Sequence, residues 1–513
     1  MIQHARGEYY LYFNYDGPYA YLIGSLNIAD FDRPGYFQHP GIIPQLIIAS
    51  IIKFSHFLQG NDPSVVMDTF NRPEFYFNRI NIVFAFINSI SLYYFGKIVF
   101  KKTGEFWTGL FLQFTPFISI LLIYNLASNT VYSVILVYVF ILLTLIISFV
   151  NEDNLNRKKY KKYILFFGIT CGLLISTLIS LLPFFILPFL LIRKFKDKLY
   201  FIIISLTTFA LLYFTVSSDS STMWSFVIKN ILHSGKYGSG PVNFLDPSII
   251  GPTFNKIMIE FRIYLFIYFM IIITLMLQFI PKLKLKIWNS KYFRTLIGIF
   301  VIMSVYILLV AKQMEIYYLI PGVMFSVMAL FCINSIYVDL FPRFFKFGKY
   351  AYLFFFLILM SFPQIGKFGN YLKHYNVRKK ESHKIIKYVK ENYPNQLIIA
   401  SDQTSSLPTA FYYSLVHTGN QTNRYISILN EKFPNYIYFQ RYRNEFLYLD
   451  KTPEKKQRLI NSDSVVFHAF NENNFNIFKD KLSELTNKDI TYKEVFANKN
   501  GERLYMVYLK PKN

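Results

Sequence analysis

Long apolar segments recur along the first two thirds of the chain, and short polar connections separate them. A helix needs roughly 20 apolar residues to cross a bilayer. This length predicts ten membrane spans, at residues 79–100, 106–123, 131–150, 163–180, 182–193, 199–216, 261–280, 295–311, 316–335 and 349–364. Charged residues are almost absent inside them. The pattern therefore predicts a mainly helical, polytopic membrane protein.

The connections between these segments alternate in charge. Five are strongly basic, namely KKTG (101–104), RKKYKK (157–162), RKFKDK (193–198), KLKLKIWNSKYFR (282–294) and PRFFKFGK (342–349). Lysine and arginine collect on the cytoplasmic side of membrane proteins. We therefore expect the other connections, including the long loop 217–260, to lie outside. The same bias explains the net charge of +24 through contact with anionic lipid, so nucleic acid is not an expected partner.

The composition changes after residue 365 to short apolar strands and amphipathic helices. Strands are predicted within 396–402 and 463–470, and a hairpin is predicted to turn at Asn500-Gly501. We expect three parts: a first outer loop with interfacial helices (1–78), a transmembrane bundle (79–366) and an external α/β domain (375–513).

The apolar stretch 42–60 is long enough to cross the membrane. If it crossed, however, the charge alternation of the later loops would be inverted. Pro44, Lys53 and His56 interrupt it, and we therefore expect a helix lying in the outer interface. An outer first loop also needs a helix before it, so we expect an apolar segment of roughly 20 residues upstream of Met1.

The groups that can do chemistry lie in the outer loops. The first loop, NYDGPYAYLIGSLNIADFDRPGYFQHPG (14–41), contains Asp16 and the DxD sequence Asp30-Phe31-Asp32. A carboxylate suits a general base that takes a proton from a hydroxyl, although an aspartate before Gly-Pro also caps turns. The basic, glycine-rich loop HSGKYGSGPVNF (233–244) offers Lys236 and backbone amides to a phosphate. Ionisable groups at mid-membrane depth, which transporters use, are missing.

The motif DGPYAYL…GYFQHPG, followed by an apolar helix, resembles the first outer loop of the GT-C glycosyltransferases, in the group of protein O-mannosyltransferases and lipid A aminoarabinose transferases. Three later segments are similar to motifs of this family, in the same order: RINIVFAFINSISLYYFGKIVFKKTG, FGITCGLLISTLISLLPFFILP and KQMEIYYLIPG. The resemblance covers residues 10–365 or so. It implies a GT-C bundle that transfers a hexose or pentose, with inversion, from a polyprenyl phosphate to a hydroxyl of a lipid, protein or glycan.

The resemblance also implies roles for individual residues. Asp16 matches the family base, in an active site at the outer face of a bacterial plasma or inner membrane. Groups that match the donor-binding positions, or that are basic or aromatic in the outer loops, are Tyr19, His39, Arg79, Lys236, Lys312 and Tyr317. No cofactor is implied with certainty, because Gly17 and Gln38 replace acidic residues beside which some relatives hold a divalent metal. Asp30 and Asp32 are the alternative metal ligands.

Two other functions remain open at this point. A transporter or flippase for a lipid-linked glycan would also have a basic outer groove, but it would need polar groups along a membrane path. A polysaccharide polymerase or ligase that uses a polyprenyl diphosphate donor differs from the first hypothesis only in its leaving group.

Overall fold

The computed structural model describes residues 1–36, 41–126, 129–152, 155–214, 220–342, 351–441, 443–447, 449–471 and 473–511. The chain divides into two compact units. The first consists of Met1–Tyr36, Gln45–Ile80 and Gly369–Asn513, and the second of Phe37–Pro44 and Asn81–Phe368. The three-part division predicted above stays a prediction.

Among the described residues, six helices are long and apolar enough to cross a membrane: Ile42–Gln59, Pro73–Thr103, Val131–Val150, Phe195–Phe214, Arg262–Phe279 and Phe293–Gln313. The number rises to eight if two bent pairs each form one span. These pairs are Phe106–Phe117 with Ile120–Leu126, bent by 76°, and Ile316–Val323 with Ser326–Leu340, bent by 43°. The predicted class, a mainly helical membrane protein, is confirmed. That Ile42–Gln59 lies in the interface stays a prediction.

The second unit is a helical bundle. Of the segments named above, Ile42–Gln59 lies mostly in the first unit and the others lie wholly or mainly in the second. The further helices of the second unit are Arg157–Thr177, Ile186–Leu191, Ser220–Leu232, Pro247–Glu260 and Pro281–Asn289, with a 3-10 segment at Ile179–Phe185. Gly168 and Gly172 face the helix Phe195–Phe214. A Cβ on Gly168 would lie 2.6 Å from Ile204 Cγ2, and one on Gly172 would lie 2.5 Å from Thr208 Cβ. Small residues four positions apart thus let two helix backbones approach closely, as is common in membranes.

Ion pairs join three of the basic connections at one end of this bundle. Lys102 and Lys159 both contact the carboxylate of Glu152, at 2.7 and 2.8 Å. Arg157 donates two hydrogen bonds of 2.9 Å to the carboxylate of Asp197. Three of the five connections that the charge pattern predicts to share one side of the membrane therefore meet at one end of the bundle.

The first unit contains a six-stranded sheet of order β3-β2-β1-β4-β6-β5. The strands are β1 (Ile398–Ser401), β2 (Tyr436–Gln440), β3 (Glu445–Leu447), β4 (Ser464–Ala469), β5 (Lys488–Ala497) and β6 (Arg503–Pro511). β1 pairs in parallel with both β2 and β4, and the other pairs are antiparallel. The predicted hairpin is β5–β6, and Gly501 takes a positive φ of 90° in its turn.

Helices complete the first unit: Ile2–Arg6, Pro18–Ala29, Val65–Asn71, Leu407–Thr418, Tyr425–Lys432, Pro453–Asn461, Asn473–Thr486 and the C-terminal part of the long helix Ala351–Asn392. One face of the sheet packs on the helix Asn473–Thr486, where the rings of Phe467 and Phe478 stack at 3.7 Å. On its other face, Ile398 and Val466 pack with Ile385 of the long helix. The sheet is therefore covered on both faces, as parallel strands require.

Candidate functional site

A tight turn presents Asp16 between two helical segments of the first unit. A 3-10 helix covers Tyr12–Tyr15, and the helix Pro18–Ala29 begins two residues after Asp16. Gly17 makes this turn with a φ of 87°. A residue with a Cβ pays about 1–2 kcal/mol in this left-handed region. Glycine at position 17 is therefore explained by the backbone that aims Asp16.

The hydroxyl of Tyr413 holds the Asp16 carboxylate. It donates a 2.9 Å hydrogen bond to Asp16 Oδ1. Burial raises the pKa of Tyr413 well above its usual range, and the negative charge of Asp16 raises that pKa further. Tyr413 therefore stays protonated and acts as a donor. Asp16 itself is exposed, and within the described chain its second oxygen accepts no other hydrogen bond.

Two rings fix the position of Tyr413. The imidazole of His417, one turn along the helix Leu407–Thr418, lies 4.5 Å from the Tyr413 ring centre. The ring of Tyr15 meets Tyr413 edge-on at 5.1 Å. Burial lowers the pKa of His417, an effect that Asp16 opposes and Arg443 reinforces. A neutral imidazole therefore packs behind the tyrosine, and the charge at this spot remains that of the carboxylate.

Asp402 adds a second carboxylate at the carboxyl end of β1. In open α/β sheets this edge is where ligands bind. Asp402 is 1% exposed and accepts a hydrogen bond from the Tyr438 hydroxyl. Burial raises the pKa of Asp402 to about 6, and the negative charge of Asp16 adds to the rise. The backbone amide of Gln403, the next residue, donates to the Tyr15 hydroxyl, which links this strand end to the Asp16 turn.

A buried polar network supports the loop that follows Asp402. The Glu502 carboxylate accepts hydrogen bonds from the amide and hydroxyl of Ser405 and from Asn498, and it lies 3.2 Å from His468 Nε2. Burial alone would raise the pKa of Glu502, but these donors outweigh it and hold that pKa below its usual range. The hydroxyl of Ser405 also accepts the backbone amide of Tyr12. The network thus fixes the loop against the segment that leads into Asp16.

In the second unit, the glycine-rich loop 233–244 docks on the segment after the helix Phe293–Gln313. Lys236 Nζ lies 2.6 Å from Glu315 Oε1. The hydroxyls of Tyr237 and Tyr317 share a 2.7 Å hydrogen bond, and the amide of Gly235 donates to the Lys312 carbonyl at 3.1 Å. Lys236, Lys312 and Tyr317 are thus brought together from positions about 80 residues apart.

Lys312 is a buried cation in this group. Only 4% of the residue is exposed, and its ammonium donates to the carbonyls of Ile231 and Phe244 at 3.0 and 2.9 Å. It also lies 4.3 Å from the Phe244 ring centre. In the described part of the chain no carboxylate pairs with it. A buried ammonium that contacts only neutral acceptors favours the approach of an anion.

The remaining residues that the sequence predicts to bind substrate are Arg79, Tyr19 and His39. Arg79 donates to the side-chain carbonyl of Gln59 and lies over the Phe75 ring, and the site role predicted for it stays a prediction. Tyr19 is fully buried, with Phe411 on one side of its ring, so it occupies a core position in this structure. His39 lies outside the described residues.

The alternative metal ligands face a cation. Arg424 Nη1 lies 3.0 Å from Asp30 and 3.7 Å from Asp32. A guanidinium between two carboxylates disfavours a second cation there. Over the part of the chain that the structure describes, no group of three or more histidine, cysteine or acidic residues is arranged to hold a metal ion.

Sequence reasoning missed the contribution of the C-terminal region. Tyr413, His417 and Asp402 had no assigned role, because they match no catalytic pattern. One signal was available: Asp402 directly follows a buried strand that was predicted, and polar residues at such ends often line a site. The contact of Tyr413 with Asp16, 397 residues away, has no local signature.

No family model and no curated protein matches the sequence. The structure, however, is similar to two crystal structures of ArnT from Cupriavidus metallidurans, one bound to undecaprenyl phosphate and one in the apo state. Each aligns with a TM-score of 0.52 over 96% of this chain and 93% of ArnT, at 10% and 9% identity respectively. Identity this low establishes the fold and leaves activity open. The chain therefore shares its fold with ArnT.

Proposed function

We propose that the protein is a glycosyltransferase that moves a sugar from a polyprenyl-phosphate donor to an acceptor hydroxyl at the outer face of the membrane. The observation that carries this proposal is the fold shared with ArnT over 96% of the chain, since one ArnT structure is bound to undecaprenyl phosphate. The ordered motifs of residues 10–365 support the same reading. The fold alone does not determine the sugar or the acceptor.

Asp16 is the proposed general base. Its free oxygen takes the proton of the acceptor hydroxyl while the acceptor oxygen attacks the anomeric carbon. The bond between that carbon and the phosphate oxygen breaks, and polyprenyl phosphate leaves with the electron pair. Attack from the face opposite the leaving group inverts the anomeric centre. Tyr413 orients the Asp16 carboxylate through its hydrogen bond to Oδ1 and leaves the other oxygen for the acceptor.

The phosphate-binding role is proposed for the basic group of the second unit. Lys236 and Lys312 supply positive charge, and the paired hydroxyls of Tyr237 and Tyr317 supply hydrogen-bond donors. A phosphate that becomes a dianion as it leaves is stabilised by fixed cations and donors of this kind. His39 and Arg79 are assigned to the same step by the resemblance alone.

The outer location is also proposed. It is supported by the basic connections, three of which meet at one end of the bundle and are of the type that faces the cytoplasm. Lipid-linked sugars are donors suited to a compartment that lacks nucleotide sugars.

The test uses the full chain in nanodiscs with a short-chain polyprenyl-phosphate sugar, labelled in the sugar, and a bacterial envelope lipid extract as the acceptor source. We expect labelled product and free polyprenyl phosphate. Asp16→Asn should lower transfer by more than 100-fold, within the range for loss of a general base, while donor binding is retained. Unchanged transfer by this variant would remove Asp16 as the base.

A matched control separates the alternatives. Asp30→Asn changes another exposed carboxylate of the same loop, which pairs with Arg424, and should leave transfer near wild type. Loss of transfer in this control, together with dependence on added Mg²⁺, would favour the metal alternative. Movement of label across the bilayer without release of polyprenyl phosphate would favour a transporter.

A further inference from the structure

The first unit contains a cleft that the proposed reaction does not use. It has a volume of about 840 Å³ and lies beside the helices Tyr425–Lys432 and Pro453–Asn461. This volume is within the range of sites for small molecules. The residues that give it its chemistry are Ile426, Asn430, Pro434, Pro453, Lys455 and Arg458. None of them takes part in the cluster around Asp16.

Lys455 forms the cationic floor of the cleft. It is 9% exposed, and its ammonium donates to the carbonyls of Phe433 and Tyr436 at 2.8 and 2.9 Å and to Asn430 Oδ1 at 3.0 Å. In the described chain no carboxylate pairs with it. Burial lowers the pKa of Lys455 to about 8, and the charge of Arg458 lowers it further. A buried charge that meets only neutral acceptors is costly, and an anion nearby would reduce that cost.

The rest of the lining is also suited to an anion. Four cationic side chains and two carboxylates, Glu431 and Glu454, line the cleft. One of the cations, Arg424, is already paired with Asp30 and Asp32, so the other three leave an excess of one positive charge. Asn430 uses its carbonyl oxygen toward Lys455 and Tyr412, whereas its Nδ2 is buried and has no partner in the described structure. A buried donor without an acceptor costs about 1–3 kcal/mol, which a bound oxygen would recover.

Apolar surface accompanies these polar groups. Ile426, Pro434 and Pro453 line the cleft with flat or rigid hydrocarbon, against which the C–H face of a sugar ring packs. We propose that this cleft binds a small anionic carbohydrate, of one or two sugar units and carrying a phosphate or a carboxylate. The site is independent of the proposed transfer reaction, because it requires neither the donor lipid nor Asp16.

The experiment measures ligand binding to the full chain in nanodiscs by calorimetry, with glucose 6-phosphate, glucuronate and glucose as probes. At least one anionic sugar should bind tenfold or more tightly than glucose, and the preferred probe identifies the anionic group. Lys455→Met should weaken that binding at least tenfold. Lys456→Met is the matched control, because Lys456 pairs with Asp450 and does not line the cleft, and its affinity should equal that of wild type.

A second variant keeps the test decisive even if Lys455→Met unfolds. Glu431→Gln combined with Glu454→Gln changes only exposed side chains and raises the positive charge of the cleft by two. Affinity for the anionic probe should then rise severalfold, and the gain should fall as salt increases. Equal binding of glucose and both anionic sugars by the wild-type chain, or no change in the double variant, would overturn the inference.

Discussion

Replacing Tyr413 by phenylalanine tests whether the helix Leu407–Thr418 positions the base. The change removes one hydroxyl, the donor of the 2.9 Å hydrogen bond to Asp16 Oδ1. The ring contacts with Tyr15 and His417, at 5.1 and 4.5 Å, remain possible because phenylalanine keeps the ring. The substitution therefore isolates the hydrogen bond from the packing around it.

The expected effect of Tyr413→Phe on the transfer rate follows from the environment of this hydrogen bond. Hydrogen bonds to charged groups contribute about 1.5–3 kcal/mol. Because Asp16 is exposed, water replaces part of the lost hydrogen bond, and the free energy lost with it is about 1 kcal/mol. This energy corresponds to a fall in rate of about fivefold.

The assay is sugar transfer from the short-chain polyprenyl donor, with kcat and KM determined separately. Tyr413→Phe should lower kcat about fivefold, with donor KM unchanged. Ser414→Ala is the control, because it removes a hydroxyl from the same helix that donates only to the Phe411 carbonyl. A change in donor KM with kcat unchanged, or the same fall in kcat in Ser414→Ala, would refute a positioning role for Tyr413.

Two further predictions concern the other charged groups. The reversal Lys236→Glu should raise donor KM, because a carboxylate replaces the cation proposed to bind the phosphate. Lys236 pairs with Glu315 at 2.6 Å in the wild type, so adding Glu315→Lys restores the pair, and KM should stay high if Lys236 binds phosphate. Full recovery in the double variant would instead assign the pair to loop docking. The second prediction concerns Asp402, whose pKa is raised from 3.8 to about 6 in the folded protein. Because ionising this buried carboxyl is unfavourable, the folded protein loses stability as the pH rises from about 4 to above 6. Asp402→Asn should therefore raise the melting temperature at pH 7.5 and change it little at pH 4, and a rise at both pH values would contradict the assignment.

The membrane bundle could be predicted from the sequence because two independent patterns indicate it. Spans such as Val131–Val150 are continuous apolar runs, and the alternating charge of the connections indicates the topology separately. The short strands near the C-terminus are harder to predict. β2 and β3 contain five and three residues, too few to show an alternation of apolar and polar positions, and the sequence analysis therefore does not predict them. The β5–β6 hairpin was found because its turn carries Asn500-Gly501, a chemical marker rather than a periodic one.

The candidate site was only half predictable for a related reason. Asp16 stands in an ordered motif, whereas its partners are set by the packing of distant segments. The helix Pro18–Ala29 meets the helix Leu407–Thr418 through the edge contact of Tyr19 with Phe411. Tyr19 thus joins the two helices, and the binding role predicted for it stays a prediction. The spacing of residues along the sequence does not indicate such a contact, so Tyr413 could not be predicted as a partner of Asp16.

Gly17 shows how the two halves of the site depend on each other. A φ of 87° disfavours an acidic side chain beside Asp16 on its own turn. A second carboxylate nonetheless lies near enough to interact, because the negative charge of Asp16 raises the pKa of Asp402. It comes from the end of β1, is buried, and accepts its hydrogen bond from Tyr438. Asp402 is thus buried and Asp16 exposed, so the two carboxylates stand in different environments, and the exposed one is the proposed base. The second carboxylate of this region comes from the C-terminal part of the chain rather than from position 17.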